Sequence, residues 1–397
     1  MNKKIAFAAT LLVFMTFIAT TFIYEMIGFL PPIRLSDSPS INYNKKLSQV
    51  TDVIQSNFLY NLDSDKLIDS AAHGVAATAD DPYTVYYSAE EYKRFNETFE
   101  GSYSGVGLVV SATHETNEII VISPFDDTPA QKAGIVKGDI IVKVEGKDVA
   151  GDKLDEAVRL MKGKTGTPVT ITIFRKGWDA PKDFQMNREQ INIPNITQKM
   201  LANQIGYIRI LKFDLRAADQ FREAIAALTK DNMKGLIIDV RDNPGGAVNE
   251  VREIADILLP EGLVMYAQDK NGKRMEEKSD KSEINLPMAI LVNEGSASAS
   301  EILSGALKDY GKAVVVGKKT FGKGVVQRIF PLTDGSAVQV TIQQYFTPKG
   351  NQVHKKGILP DVEVALPADL ESSISKLTLE QDTQLSKALE VVKGKLQ

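Results

Sequence analysis

Three loops in the second half of the chain carry residue types that could do chemistry together. They read DVRDNPGG (239–246), NEGSASASE (293–301) and TFGKGVVQ (320–327). The two glycines that end the first loop can aim backbone N–H groups at an anion or at a developing oxyanion. A tight strand-to-helix turn that needs glycine for a positive φ explains the same pair. By itself, the first loop indicates a structural turn more than a site.

The second loop offers Ser298 at the predicted start of a helix. A serine there gains from the positive end of the helix dipole, and the neighbouring N–H groups could stabilise an oxyanion. However, Ser298 and Glu301 also have the spacing of a helix capping box, which is a common structural device. This segment alone therefore favours a helix cap over a nucleophile.

The third loop places Lys323 between two glycines, whose lack of side chains would let the lysine enter a confined space. If the segment is extended, Lys323 and Gln327 face the same side. The alternative is an exposed lysine in a glycine turn, which is the usual location of lysine. A glycine-flanked lysine is also found in phosphate-binding loops, but the rest of that motif is missing, which disfavours a nucleotide site.

Buried strands that alternate with helices must position these loops. Apolar strands are predicted at 206–210, 235–240, 288–292 and 313–316, with helices at 217–229, 248–258 and 299–308 between them. Such strands favour a parallel sheet covered on both faces, and α/β proteins place their sites in the loops at strand ends. The mixed charges of residues 269–283 favour a solvated loop on this core.

Two regions of different character precede the α/β core. Residues 43–99 have apolar positions at three- and four-residue steps, which predicts amphipathic helices. Residues 100–187 contain short β runs with one or two helices, which predicts a small β-barrel or sandwich with helical caps. The tail at 369–395 is again helical in pattern.

The N-terminal residues predict a membrane segment. Residues 5–24 are uncharged, and a helix of that length is about 30 Å long, which matches the hydrocarbon core of a bilayer. Lys3 and Lys4 precede it, so the positive-inside rule predicts that the rest of the chain lies outside the cytoplasm. The alternative is a cleaved signal peptide. Two features disfavour it: the apolar run is longer than usual for a signal peptide, and no small-x-small cleavage site follows it.

Composition excludes several kinds of site. The net charge of −4 gives no reason to expect a nucleic-acid partner. The absence of cysteine removes thiol nucleophiles, thiolate metal sites and disulfides, and only three histidines remain for a metal centre or a histidine base. We therefore expect no metal and no cofactor.

Taken together, the ordered segments resemble the carboxyl-terminal processing protease family, which are tail-specific serine peptidases with a Ser/Lys dyad and an embedded PDZ domain. The similarity rests on the three loops and on further segments in the same order, namely DPYT (81–84), GSYSGVG (101–107), YFTPKG (345–350) and GILPDV (357–362). It covers about residues 45–390.

The resemblance implies a role for several residues. Ser298 would be the nucleophile, Lys323 the general base and Gln327 the group that orients the lysine. The backbone N–H groups of Gly245 and Ala299 would be oxyanion donors. A lysine amine can serve as a base when burial depresses its pKa from about 10.4.

The resemblance also implies a domain order. A signal anchor (1–27) and a linker (28–42) would be followed by a helical subdomain (43–100), a PDZ domain (101–187), a protease core (188–367) of crotonase/ClpP-like βαβ type and a C-terminal helical segment (368–397). The PDZ loop, formed by Gly105, Val106, Gly107 and Leu108, would bind a substrate's C-terminal carboxylate through backbone N–H groups.

These expectations describe a membrane-anchored, extracytoplasmic serine endopeptidase, homodimeric, that acts on protein or peptide substrates with accessible C termini. A non-catalytic, membrane-tethered PDZ scaffold is the alternative from another class, although the intact Ser298, Lys323 and Gln327 disfavour it. A crotonase-like acyl-transfer enzyme fits the core less well, because an outside location makes cytosolic cofactor chemistry improbable.

Overall fold

The structure is a computed structural model that describes residues 43–99, 102–113, 116–192, 195–280, 282–367, 370, 374 and 377–396. The predicted membrane segment at 5–24 and the linker at 28–42 lie outside these residues. Within the described part of the chain, no helix is both long enough and apolar enough to cross a membrane.

The chain divides into two compact units, of which the first ends at Ser70 and the second begins at Ala71. In the first unit, helix α1 (Tyr43–Asn57) is followed by the start of α2 (Ser64–Ala77). The apolar residues that predict these helices are largely exposed, namely Val50, Val53, Ile54 and Phe58. The second unit continues with strand β1 (Val85–Tyr87) and helix α3 (Ala89–Phe99).

A β domain with two helices follows, as the sequence predicts. Its main sheet has the order β3-β4-β5-β7-β8, with antiparallel pairing throughout and a short strand β6 beside β5. The strands of this region are β2 (Ser102–Gly105), β3 (Leu108–Ala112), β4 (Ile119–Pro124), β5 (Ile140–Val144), β6 (Lys147–Asp148), β7 (Pro168–Phe174), β8 (Lys182–Asn187) and β9 (Glu189–Asn192). Helices α4 (Pro129–Lys132) and α5 (Leu154–Met161) cover a core of alternate strand residues.

The α/β core is built on a six-stranded sheet of order β10-β11-β12-β15-β16-β19. Its strands are β10 (Ile196–Leu201), β11 (Ile205–Ile210), β12 (Gly235–Asp239), β15 (Met288–Val292), β16 (Ala313–Gly317) and β19 (Val362–Glu363). All neighbours from β11 to β19 are parallel, and β10 is antiparallel to β11. Every residue of β11, β12 and β15 is buried, which explains their continuous apolar sequences.

Helices cover both faces of this sheet. One face packs against α6 (Ala217–Lys230), α7 (Val248–Leu258) and α8 (Ala299–Asp309), whose buried residues join the largest apolar cluster. The other face packs against the C-terminal helix α9 (Thr383–Gly394) through Leu385, Ala388 and Val392. The parallel, doubly covered sheet predicted from the sequence is therefore confirmed for this part of the chain.

A second sheet lies beside the core, and it corrects one expectation. It has the order β1-β18-β13-β14, with β17 also paired to β18, and consists of β13 (Gly262–Asp269), β14 (Arg274–Ser279), β17 (Val325–Pro331), β18 (Ala337–Phe346) and β1. The prediction of a solvated loop over 269–283 was wrong for residues 274–279, because they form β14, which pairs with β13. Charged residues are common on a sheet edge, where they oppose pairing with another chain, so the charge pattern did not distinguish a loop from an edge strand.

Candidate active site

The three loops meet at one edge of the central sheet. They follow β12, β15 and β16, and these parallel neighbours end at the same edge. Backbone hydrogen bonds join the loops directly, because the Ala297 N–H donates to the Asn243 carbonyl and the Phe321 N–H donates to the Ser296 carbonyl, both at 3.0 Å. Residues far apart in the sequence are thus held together by main-chain contacts.

Ser298 occupies the N-cap position of α8 and forms the capping box with Glu301 that its sequence predicts. Its backbone is strained, with φ 54° and ψ −112°, a region that non-glycine residues rarely adopt. Such a conformation costs about 1–3 kcal/mol and persists where the surroundings enforce it, which is common at functional sites. The cap and the nucleophile are therefore compatible readings of the same residue.

Glu301 connects the serine loop to the lysine loop. One carboxylate oxygen accepts from the Ser298 N–H at 3.0 Å and from the Lys323 N–H at 2.8 Å. The other accepts from the Gly322 N–H at 2.7 Å and from the Thr320 hydroxyl. Burial raises the pKa of Glu301, while these four donors act in the opposite direction. A single buried side chain thus fixes the position of Lys323 relative to Ser298.

Tyr345 adds a second connection between the same two loops. Its buried hydroxyl lies 3.0 Å from the Ser298 carbonyl oxygen and 2.8 Å from the Lys323 carbonyl oxygen, and its one proton is shared between the two acceptors. Tyr345 lies on β18, in the YFTPKG segment, and its periodicity as a strand residue gave no indication of this role. The contact depends on how β18 pairs with β17, which local sequence does not reveal.

Lys323 is half-buried and lies in a confined position, as its glycine neighbours suggest. A Cβ atom at residue 324 would come within 2.1 Å of the His354 backbone nitrogen, so only glycine permits this approach. The Lys323 Nζ lies 4.7 Å from the centre of the Tyr83 ring. Burial lowers the pKa of Lys323 below its usual value, and the negative charge of Asp81 partly opposes this shift.

Gly245 lies against the serine. Its φ is +101°, and an added Cβ would be 2.7 Å from the Ser298 Cβ and 2.9 Å from the Ala299 nitrogen. However, the Gly245 N–H donates to the Asn243 Oδ1 at 2.8 Å, so an oxyanion role would require that bond to break. Ala299 is the buried first residue of α8, where a backbone N–H has no partner within the helix.

Gln327 lies on β17, four residues beyond Lys323, and its side-chain amide donates to the Thr341 Oγ1 at 3.2 Å. Ser298, Lys323, Gln327 and Gly245 all line one cavity of about 380 Å³. Its remaining walls are mainly apolar, with contributions from Phe95, Ile302, Val326 and Ile329. The structure therefore brings the three predicted catalytic residues and one predicted oxyanion residue to a single cleft.

Comparisons with known proteins agree with this arrangement. Residues 204–364 match the model of peptidase family S41, residues 121–175 match a PDZ domain, and residues 34–91 match the Activating protease CtpB N-terminal domain. A Staphylococcus aureus protein named as a CtpA-like serine protease is 37% identical over 356 residues, which are 89% of this chain and 70% of that protein. The chain belongs to peptidase family S41. This confirms the family that the sequence motifs indicated.

Other similar proteins support the assignment to family S41, whose members are serine-type peptidases. A Staphylococcus epidermidis protein, also named as a CtpA-like serine protease, is 38% identical over 327 residues. The match covers 81% of this chain, which spans 66% of the length of that relative. A solved structure named as an S41 protease of Bacteroides fragilis superposes with a TM-score of 0.54 at 16% identity. That match covers 87% of this chain and 97% of the other, and it supports the fold alone.

The segment predicted as the PDZ loop lies where β2 meets β3: Gly105 ends β2, Val106 and Gly107 connect the strands, and Leu108 begins β3. The Val106 and Gly107 carbonyls accept from the start of α4 and from the turn before it. Burial raises the pKa of Tyr103, whereas hydrogen bonds from the Leu108 and Gly107 N–H groups act to lower it.

Sequence reasoning missed several residues of the S41 site. Glu301 was interpreted only as a cap, Tyr83 only as part of a family segment, and Lys212, which also lines the cavity, was not considered. For Glu301 a signal existed. A buried carboxylate that caps a helix next to a glycine-rich loop can accept hydrogen bonds from the loop as well as from the helix end. Tyr83 and Lys212 come from distant parts of the chain, so no local pattern identifies them.

Proposed function

We propose that this S41 chain is a serine endopeptidase in which Ser298 is the nucleophile and Lys323 the general base. The observation that carries the proposal is the half-buried Lys323, which shares one cavity with Ser298 and is held to the serine loop by Glu301. A lysine with a depressed pKa beside a serine at a helix start has the properties that a Ser/Lys dyad requires.

The reaction would proceed through an acyl-enzyme. Neutral Lys323 takes the proton from the Ser298 hydroxyl as the oxygen attacks the peptide carbonyl, whose π electrons move to the carbonyl oxygen. When the tetrahedral intermediate collapses, the C–N bond breaks and the Lys323 ammonium protonates the leaving amine. Water, deprotonated by the Lys323 amine, then attacks the ester carbonyl. As the C–O bond breaks, the Lys323 ammonium returns the proton to Ser298 Oγ.

The oxyanion would be stabilised by backbone N–H groups at the start of α8 and in the glycine loop. Ala299 is well placed to donate its N–H because α8 begins at this residue. The Gly245 N–H could contribute only after its hydrogen bond to the Asn243 side chain breaks. The pair of oxyanion donors, Ala299 and Gly245, would then be complete only when substrate has entered the cleft. Gln327, through its amide oxygen, would orient the Lys323 ammonium.

Substitution of the dyad tests this mechanism. Ser298→Ala and Lys323→Ala should each abolish cleavage of a peptide with a free C terminus, while the circular dichroism spectrum and melting temperature stay close to those of the wild type. Lys319→Ala removes an exposed lysine from the same loop and should leave cleavage unchanged. Full activity in Lys323→Ala would exclude the dyad.

We further propose that the PDZ domain selects substrates by their C termini. The support is the match of residues 121–175 to a PDZ domain, together with the glycine-containing segment 105–108 at the junction of β2 and β3 in the same β domain. Cleavage should weaken when the same peptide is amidated at its C terminus. Equal cleavage of the free and amidated peptides would show that the PDZ domain does not recognise the C-terminal carboxylate. The proposal of the Ser298/Lys323 dyad would be unaffected.

The location and assembly of the chain are also proposals. The uncharged segment at 5–24 supports a single-pass anchor with the catalytic part outside the cytoplasm. Exposed apolar residues on α1, including Val50 and Val53, support a homodimer. Membrane fractionation with N-terminal mass analysis distinguishes the anchor from a cleaved signal peptide, and sedimentation velocity measures the oligomeric state.

The core is best assigned to the crotonase/ClpP-like βαβ type. The support is its set of parallel strands β11, β12, β15 and β16, whose three connections contain α6, α7 and α8 in turn, with the loops at the carboxyl ends forming the site. This assignment concerns architecture alone and implies no cofactor.

A further inference from the structure

The DPYT segment (81–84) lies against the catalytic lysine, although the dyad mechanism as described does not use it. The Tyr83 ring faces the Lys323 Nζ at 4.7 Å, within the range of a cation–π interaction. The negative charge of Asp81 acts to raise the pKa of Lys323, against the effect of burial. Tyr83 and Asp81 are separated from Lys323 by most of the chain, so their position depends on tertiary structure.

Strand β18 holds this segment in place. The Gln339 side chain donates to the Tyr83 carbonyl at 3.0 Å, and the Thr341 N–H donates to the Thr84 Oγ1 at 3.2 Å. Immediately after the segment, β1 pairs with β18 in an antiparallel register that begins at Val85 opposite Gln339. The segment is thus attached to the sheet that also carries β17.

The Asp81 carboxylate is itself well ordered by hydrogen bonds. The Thr84 hydroxyl donates to one oxygen at 2.7 Å, and the Tyr83 N–H donates to the other at 3.2 Å. Burial acts to raise the pKa of Asp81, but bonds from Thr341, Thr84 and Tyr83 outweigh it and hold the pKa below its usual value. Asp81 is therefore a carboxylate with a fixed position and a stable negative charge.

The same network reaches Gln327. The Thr84 hydroxyl, which donates to Asp81, accepts from the Thr341 N–H at 3.2 Å, and the Thr341 Oγ1 accepts from the Gln327 amide at 3.2 Å. Gln327 and Thr341 are direct partners across the β17–β18 ladder. Asp81, Thr84, Thr341 and Gln327 thus form a continuous chain of hydrogen bonds.

We propose that residues 81–84 form a clamp on the catalytic lysine, in which the Tyr83 ring and the Asp81 charge position Lys323 and stabilise its ammonium as it takes the serine proton. The inference rests on the proposed dyad. Neither residue is assigned a contact with substrate, so both are positioning residues. Asp81 acts on the Lys323 ammonium through its charge and does not accept the proton.

The clamp opposes the effect of burial on Lys323. Desolvation disfavours the ammonium, whereas a carboxylate and an aromatic face favour it. The other charged or titratable groups that face Lys323 or its partners come from several elements, namely Glu301 on α8, Lys212 after β11, Tyr345 on β18 and His354 after β18. Burial lowers the pKa of His354, so this histidine is mostly neutral at neutral pH.

The pH dependence of cleavage tests the clamp. Because Lys323 must be neutral to act as a base, kcat/KM should rise with pH through its pKa. Asp81 favours the ammonium, so Asp81→Asn should lower that pKa and move the rise to lower pH by about one unit. The value of kcat/KM on the high-pH plateau should fall about tenfold in Asp81→Asn, because the ammonium that forms in the transition state loses a nearby negative charge.

The aromatic ring is tested by a matched pair of variants. Tyr83→Leu should move the rise in the same direction and lower the plateau about twofold to thirtyfold. Tyr83→Phe keeps the ring and should behave like the wild type. Asp334→Asn, which removes a carboxylate from an exposed turn, should leave the profile unchanged. If Tyr83→Phe behaved like Tyr83→Leu, the role of the ring would be overturned.

A measurement that needs no activity separates this inference from the dyad itself. In a Ser298→Ala background, the Lys323 ¹³Cε chemical shift, assigned with Lys323→Arg, reports the titration of the amine directly. Asp81→Asn and Tyr83→Leu should lower its midpoint. If the midpoint and the pH profile stay fixed in both variants while Lys323→Ala is inactive, the clamp is wrong and the dyad stands. If Lys323→Ala is active, the dyad proposal is wrong, regardless of the midpoint of the Lys323 titration.

Discussion

At the scale of single residues, Gly245 and Gly177 have similar positive φ angles but different surroundings. Their φ angles are +101° and +94°. A Cβ at Gly245 would collide with Ser298 and the Ala299 nitrogen, whereas a Cβ at Gly177 would meet nothing within 4 Å. Substituting alanine at the two positions therefore distinguishes the free-energy cost of backbone strain, which both share, from the effect of a methyl group in the site, which occurs only at Gly245.

We predict that Gly245→Ala abolishes peptide cleavage and that Gly177→Ala does not. Both changes should cost about 1 kcal/mol from the positive φ, but only the first pushes a methyl group into the serine loop. Cleavage assays and urea denaturation of the two variants measure these effects. Activity within a few-fold of wild type in Gly245→Ala would show that the close approach of this loop to Ser298 is not needed.

At the scale of elements, the start of α8 and the loop before β17 act as one unit because Glu301 joins them. The carboxylate accepts four hydrogen bonds in the chain segments around Ser298 and Lys323. An amide at this position offers one acceptor oxygen and an NH₂ group that would face two donors. The charge of Glu301 is thus required by the donors that surround it.

We predict that Glu301→Gln lowers both stability and activity. Two buried donors would lose their acceptor, which costs about 1–3 kcal/mol, and Lys323 would no longer be fixed relative to Ser298. The control is Glu294→Gln in the same loop, where an exposed pair with Lys318 is worth at most about 1 kcal/mol. Denaturation midpoints and kcat/KM should fall in the first variant only. An unchanged kcat/KM in Glu301→Gln would contradict the positioning role.

At the scale of the whole molecule, a buried ion network attaches the C-terminal helix to the catalytic sheet. The Arg241 guanidinium, which is 1% exposed, bonds to Asp239 at the end of β12 and to Asp382 and Gln384 at the start of α9. Tyr207 donates to the same Asp239 at 2.7 Å. Arg241 lies in the DVRDNPGG loop, so the network also supports the glycine pair beside the serine.

We predict that Arg241→Ala destabilises the fold by about 3–5 kcal/mol, because it removes the guanidinium that is hydrogen-bonded to two buried carboxylates. Arg222→Ala should cost less than about 1 kcal/mol, since that guanidinium is 46% exposed and its partners Asp219 and Glu253 lie at the surface. Chemical denaturation provides both values. A loss below 1 kcal/mol in Arg241→Ala would show that the network does not attach the C-terminal helix.

The sequence by itself determined the parallel strands, the loops at their ends, and Ser298 and Lys323 as candidates. These features are local, since burial on both faces requires continuous apolar runs and tight turns require glycine. The ordered motifs then identified the family, because several short segments in one order carry more information than any one of them. The edge strand β14 was interpreted as a loop because its charges reflect exposure, and exposure is shared by loops and sheet edges.

Only the tertiary structure decided which groups surround the reactive pair. Tyr83 reaches Lys323 because β1 pairs with β18, and the Gln327 amide bonds to Thr341 because β17 and β18 pair in a particular register. The Gly245 N–H already has Asn243 as its acceptor, which the glycine pattern could not reveal. Strand register and loop packing depend on contacts between distant residues, whereas propensity and motif spacing describe near neighbours.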